Sequence, residues 1–254
     1  MTLNQEEAKR FCELCIADEE NFADTDKSGI NIYNEKRLHR ILKRTLCSRE
    51  EYLEVKVGRY IADILEGKDI IEIQCGSFYP LVPKLRYYLE NTDFNITVVH
   101  PLIADKTIIR ADRETGEILR SRRSNKKENE TAVLPDLYYL REFIGEPRLR
   151  IRLMMIRADE IRYSERVRNR KEGAYDSDLR PRELLGSGEI KDARDILQLL
   201  PEELMARESF GAAEFSAATK YKRRKLSLVL YLLCDTGLLK REKEGKKYIY
   251  FPQV

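Results

Sequence analysis

Arg59-Tyr60-Ile61-Ala62-Asp63-Ile64-Leu65-Glu66-Gly67-Lys68-Asp69-Ile70-Ile71-Glu72-Ile73-Gln74 is the stretch on which the fold turns. Two short runs rich in β-branched residues flank Glu66-Gly67-Lys68, and Leu53 to Val57 precedes them across Gly58. That punctuation predicts a meander of antiparallel strands over 53–57, 59–65 and 69–75. Side chains two apart on a strand share a face, so Glu72 and Gln74 emerge together from a strand otherwise fit for burial. A two-residue turn at Gly67-Lys68 sets Asp63 opposite Glu72, whereas a turn centred on Glu66-Gly67 sets it opposite Ile70. In the first register two carboxylates face each other and repel unless a cation lies between them. A hard divalent ion with oxygen ligands, Mg²⁺ or Mn²⁺, meets that need.

Working outward, Asn34 can cap a helix that carries Glu35, Leu38, His39, Leu42 and Leu46 on neighbouring turns. A helix over Tyr79–Glu90 and an apolar strand over Ile96–Val99 follow the meander, giving an α/β core. Thr107–Ala111 and Glu117–Arg122 flank Arg113-Glu114-Thr115-Gly116, a hairpin turn, and a helix over 134–143 and a strand over 149–156 complete the domain. This first domain is assigned to residues 33–160. Ahead of it, residues 1–32 read as an acidic helix and a loop whose Asp24–Gly29 segment resembles half a calcium hand but lacks its ligands. Residues 161–188 lose periodicity, collect arginines and contain Gly173, Pro181, Gly186 and Gly188, the marks of a basic linker. Residues 189–254 hold three short helices and a terminal hairpin around Glu244-Gly245, the pattern of a winged helix-turn-helix domain.

The chain has 254 residues, 42% hydrophobic and 36% charged, yet Lys+Arg 47 against Asp+Glu 44 leaves a net charge of only +3. Affinity for a polyanion must therefore come from local patches. No run reaches the length of apolar sequence that spans a bilayer, and the acidic start from Asn4 to Glu20 is wrong for a signal peptide, so a cytoplasmic location away from membrane is expected. The five scattered cysteines fit reduced thiols better than a disulfide framework.

The order of these elements carries a resemblance. The helix with Glu35, the Asp63 strand, the Glu72-Ile73-Gln74 strand and the helix behind it resemble the PD-(D/E)XK nuclease core, a mixed sheet flanked by helices as in restriction endonucleases. Glu35-Lys36-Arg37-Leu38-His39, Ile71-Glu72-Ile73-Gln74 and His100-Pro101-Leu102-Ile103 are similar to bacterial proteins of mostly unassigned role that join such a core to a C-terminal winged helix. The resemblance implies that Asp63 and Glu72 are metal ligands and that Glu35 holds a metal-bound water. It implies metal-dependent hydrolysis of phosphodiester bonds, with Mg²⁺ or Mn²⁺ lowering the pKa of the attacking water. Gln74 departs from the pattern, which has Lys there; Lys84 on the following helix, or Lys56, could restore the missing charge.

Tyr221-Lys222-Arg223-Arg224-Lys225 opens the third terminal helix, and Lys240, Arg241, Lys243, Lys246 and Lys247 lie on the hairpin. Both are elements that a winged helix presents to a duplex, so double-stranded DNA is the expected partner. Further cations at Arg120, Arg122, Arg123, Lys126 and Lys127, and at Arg162, Arg166, Arg168, Arg170 and Lys171, could extend that track. The alternatives are a catalytically inactive nuclease-like DNA-binding or regulatory protein, for which Gln74 speaks, and a winged helix that docks protein. The sequence leaves a homodimer open.

Overall fold

Two glycine turns build the first three strands. Gly58 (φ +60°) and Gly67 (φ +61°) each occupy the first central position of a two-residue turn, where a positive φ is needed and a side chain is strained. They join β1 (Leu53–Val57), β2 (Tyr60–Glu66) and β3 (Asp69–Ile73) in antiparallel order. The computed structural model describes residues 1–21, 30–112, 115–125, 127–164 and 177–253, with the backbone alone at 19–21, 30–36, 164 and 177.

Among the described residues, seven strands form one mixed sheet in the order β1-β2-β3-β4-β6-β7, with β5 paired to the far half of β4. β4 (Asn95–Asp112) runs parallel to β3 and to β6 (Leu149–Ser164), while β5 (Ile118–Arg123) and β7 (Ser177–Ile190) are antiparallel additions. Helices α1 (Gln5–Asn21) and α2 (Ile30–Leu46) cover one face, where Phe11, Leu38, Leu42, Ile73, Val99 and Met154 pack together. On the other face, α3 (Val82–Asn91) and α4 (Leu134–Leu137) seat Leu85, Tyr88, Leu134 and Leu137 against Ile70, Ile96 and Val98.

Several expectations change here. Ile96–Val99 and Thr107–Ala111 are parts of the single strand β4, because β6 pairs with it along both halves. α2 starts at Ile30, so Asn34 lies inside the helix rather than at its cap. Of the expected linker, 161–164 end β6 and 177–188 lie in β7. Its strand period is hidden by two register shifts and by charges satisfied across the β6–β7 pair, Arg157–Glu183 at 2.5 Å and Arg182–Asp159 at 2.7 Å, and from helix α2, Arg37–Asp178 at 2.7 Å. Its glycines let the N-terminus approach, with Thr2 bridging to Ser187 beside Gly186 and Gly188. The Asp24–Gly29 loop and the cations Arg166, Arg168, Arg170, Lys171 and Lys126 lie outside the described residues.

The C-terminal module comprises α5 (Ala193–Leu197), α6 (Glu202–Met205), β8 (Phe210–Gly211), α7 (Ala212–Thr219), α8 (Arg223–Asp235), β9 (Leu239–Glu244) and β10 (Lys247–Pro252). Its small sheet has the order β8-β10-β9. The module shares one apolar core with the large sheet: Ile196, Phe215, Val229 and Leu233 belong to the same cluster as Leu134 and Ile151. Polar ties reinforce the seam, from Tyr221 to the Thr131 carbonyl, Arg141 to Asp235 at 2.8 Å and Arg224 to the Tyr139 hydroxyl at 3.1 Å.

Candidate functional site

The regular pairing of β2 with β3 runs from Glu66–Asp69 to Ile64–Ile71, the register that places Asp63 at the level of Glu72. There the backbone ladder stops, and the Ile73 amide donates to Asp63 Oδ2 at 2.8 Å. The space so opened is the floor of a cleft of about 860 Å³, with α2, β1 and the start of α3 as its walls. Asp63, Glu72, Gln74 and Lys84 all line it, together with His39, Lys43 and Glu54.

Two carboxylates sit in different surroundings. Glu72 is 2% exposed; Oε2 accepts from Lys84 Nζ at 2.5 Å and Oε1 from the Tyr88 hydroxyl at 3.2 Å. Burial pushes its carboxyl up to about 7, with Asp63 adding to the rise and Lys84 and the Tyr88 hydroxyl opposing it. At Asp63 burial also pulls upward, but the His39 ring at 3.2 Å, the Ile73 amide and Lys84 outweigh it and hold the carboxyl below its usual value. Its Oδ1 carries no hydrogen bond among the described residues. A neighbouring pair in which one carboxyl is held ionised and the other keeps its proton to near neutrality is a common trait of working sites.

Of the expected residues, Asp63, Glu72, Gln74 and Lys84 meet in the cleft. Gln74 is turned aside, its Nε2 donating to the Ser77 carbonyl at 2.8 Å. Glu35 lies on α2 one turn before His39, and its side chain is outside the described residues. Lys56 is exposed on β1 and does not line the cleft. His39, which the sequence places on the same helix face as Glu35, bonds to Asp63 itself. Its i+4 spacing from Glu35 was the available signal. Lys43 and Glu54, joined at 2.6 Å, are further cleft residues that sequence reasoning missed. Glu54 has φ +54° inside a strand, a strained backbone that no period reveals. His100, with Nδ1–H donating to the Gln74 carbonyl at 2.7 Å and its ring edge-to-face with Phe78, is structural.

The C-terminal cations spread unevenly. Lys222, Arg223, Arg224 and Lys225 are exposed, as are Lys243 and Lys246 on the hairpin. Tyr221 is committed to Thr131, and burial pushes its hydroxyl up to about 12.

Among the described residues no three His, Cys, Asp or Glu side chains gather around one metal-sized point. The donors that are present still suit a hard cation: two carboxylates side by side, one of which holds a proton that a cation would displace. The sequence model of a family described as Domain of unknown function (DUF8091) matches residues 36–191, more than half of the chain. The chain belongs to that family. The DUF8091 region runs from within α2 to the end of β7 and so contains the whole cleft, leaving out the C-terminal module. No curated protein and no solved structure matches the chain.

Proposed function

We propose that this protein is a metal-dependent nuclease of the PD-(D/E)XK kind that hydrolyses phosphodiester bonds in DNA, with the C-terminal module acting as a winged helix that grips the nucleic acid. The observation that carries the reading is that Asp63 and Glu72 both line the cleft at the point where β2 leaves β3, with Lys84 at 2.5 Å from Glu72. Asp63 and Glu72, with Glu35 from α2, would hold Mg²⁺ or Mn²⁺. When bound, the ion would activate a water and neutralise charge on the phosphate oxygens. Lys84 supplies the positive charge that Gln74 cannot, His39 orients Asp63, and Tyr88 orients Glu72. Lys222, Arg223, Arg224, Lys225, Lys243 and Lys246 would meet phosphates of a duplex. The lack, among the described residues, of a disulfide and of a helix long and apolar enough to cross a membrane accords with the cytoplasm as its place of action.

A second reading has its own support: Lys84 is locked to Glu72 and Gln74 to Ser77, as in a core that binds DNA without cutting it. The purified chain, incubated with labelled DNA and Mg²⁺ or Mn²⁺, should cut it. Asp63→Ala and Glu72→Ala should each lower the rate by about 100-fold or more, roughly 3 kcal/mol of barrier. Cutting that survives in both variants overturns the proposal. Binding without metal-dependent cutting selects the second reading.

A further inference from the structure

An unbroken run of tyrosine and arginine side chains leads from the cleft to the C-terminal hairpin. It starts at Tyr79, next to the cleft-lining Pro80 and Leu81. Tyr79 packs on Tyr139 at 5.5 Å between centroids, Tyr139 on Tyr138 at 5.6 Å and Tyr138 on Tyr231 of α8 at 6.4 Å. Arg241 of β9 then lies over both Tyr231, at 5.1 Å, and Tyr248 of β10, at 5.2 Å. Cations interleave: Arg224 reaches the Tyr139 hydroxyl, and Arg141 lies 4.2 Å over the Tyr138 ring while paired with Asp235. Lys243 stands across the strand pair from Tyr248.

Tyr79 is 68% exposed, Tyr231 44% and Tyr248 45%. They are the three exposed tyrosines among the described residues, and all fall on this one run. Exposed apolar groups scattered singly are ordinary on a protein surface. Exposed rings aligned with guanidinium groups are the arrangement that stacks bases while it tracks a phosphate backbone.

We propose that this run is a binding track for an unpaired nucleic-acid strand, which it guides between the C-terminal hairpin and the cleft. The inference rests on the nuclease reading for its direction and deepens it, because it assigns the strand entering the cleft as single. Base faces stack on Tyr79, Tyr231 and Tyr248, and Arg241, between two of those rings, holds the phosphates of the strand where it leaves the duplex gripped by Arg224 and Lys243. A duplex hides its base faces and cannot use the rings.

The full chain in EDTA, where binding is separated from cutting, is titrated with a labelled oligothymidylate and with an abasic strand of equal length and charge. The base-bearing strand should bind about 10-fold tighter or more, and Tyr79→Ala and Tyr248→Ala should each weaken it by about 5-fold to 100-fold while leaving abasic binding unchanged. Since the chain has no tryptophan and 14 tyrosines, strand binding should also quench tyrosine fluorescence directly. Equal affinity for the two strands, or unchanged affinity in both variants, overturns the track. Binding of a proline-rich peptide without binding of either strand overturns it in favour of a protein partner. Loss of cutting in Asp63→Ala with strand binding intact shows the track standing independently of the catalytic reading.

Discussion

Glu72 is the residue whose surroundings have the largest consequences. Its carboxyl keeps a proton to about pH 7, against 4.5 in the unfolded chain. The folded state thus holds that proton more tightly, so its contribution to stability is complete below about 4.5 and is lost as pH rises through 7. Between pH 5 and pH 8 in urea unfolding, the native chain should lose roughly 1–3 kcal/mol more than Glu72→Gln, which has no proton to release. Cutting should rise through the same interval, since only the ionised carboxylate can hold a cation. Lys84→Ala removes the charge that partly offsets burial, so the carboxyl should move still higher. The loss of a mostly buried pair should cost about 2 kcal/mol in the same assay. Gly58 tests the backbone: a Cβ there would stand 1.9 Å from the Tyr87 hydroxyl, at φ +60°. Gly58→Ala should cost about 1–3 kcal/mol in thermal unfolding.

At the level of elements, α8 has two duties. Val229, Leu232 and Leu233 are fully buried in the core shared with the large sheet, so Leu233→Ala should cost about 2–5 kcal/mol. Its other stripe, Arg224, Tyr231 and Asp235, faces Tyr139, Tyr138 and Arg141. Arg224 stays exposed despite its bond to Tyr139, so Lys222, Arg223, Arg224 and Lys225, with the hairpin lysines, are the exposed cations of the proposed winged helix. Replacing Arg223 and Arg224 by Ala should weaken DNA retention and flatten its dependence on salt by about one to two units of log–log slope, measured by filter binding. β7 shows the reverse case, a strand that reads as a linker because its charges are paired with residues distant in sequence.

For the whole molecule, the shared core predicts one cooperative transition: calorimetric and van't Hoff enthalpies should agree, and two separate melts would contradict the packing. The meander from Leu53 to Gln74, helices α7 and α8 and the terminal hairpin were legible locally, because turn glycines and side-chain period act over a few residues, whereas the choice between the two β2–β3 registers, the fourth short helix α6 and the strand β8 were not. The joining of 95–112 into one strand, the recruitment of 177–190 to the sheet and the packing of α1 on it were not, since each depends on partners far along the chain. In the cleft, sequence alone set Glu72 and Gln74 on one strand face and left Asp63 opposite either Glu72 or Ile70; the pairing of β2 with β3 decided for Glu72. Tertiary packing added His39 to Asp63 and Lys84 and Tyr88 to Glu72, because charge and burial at a carboxylate are set by whatever folds against it.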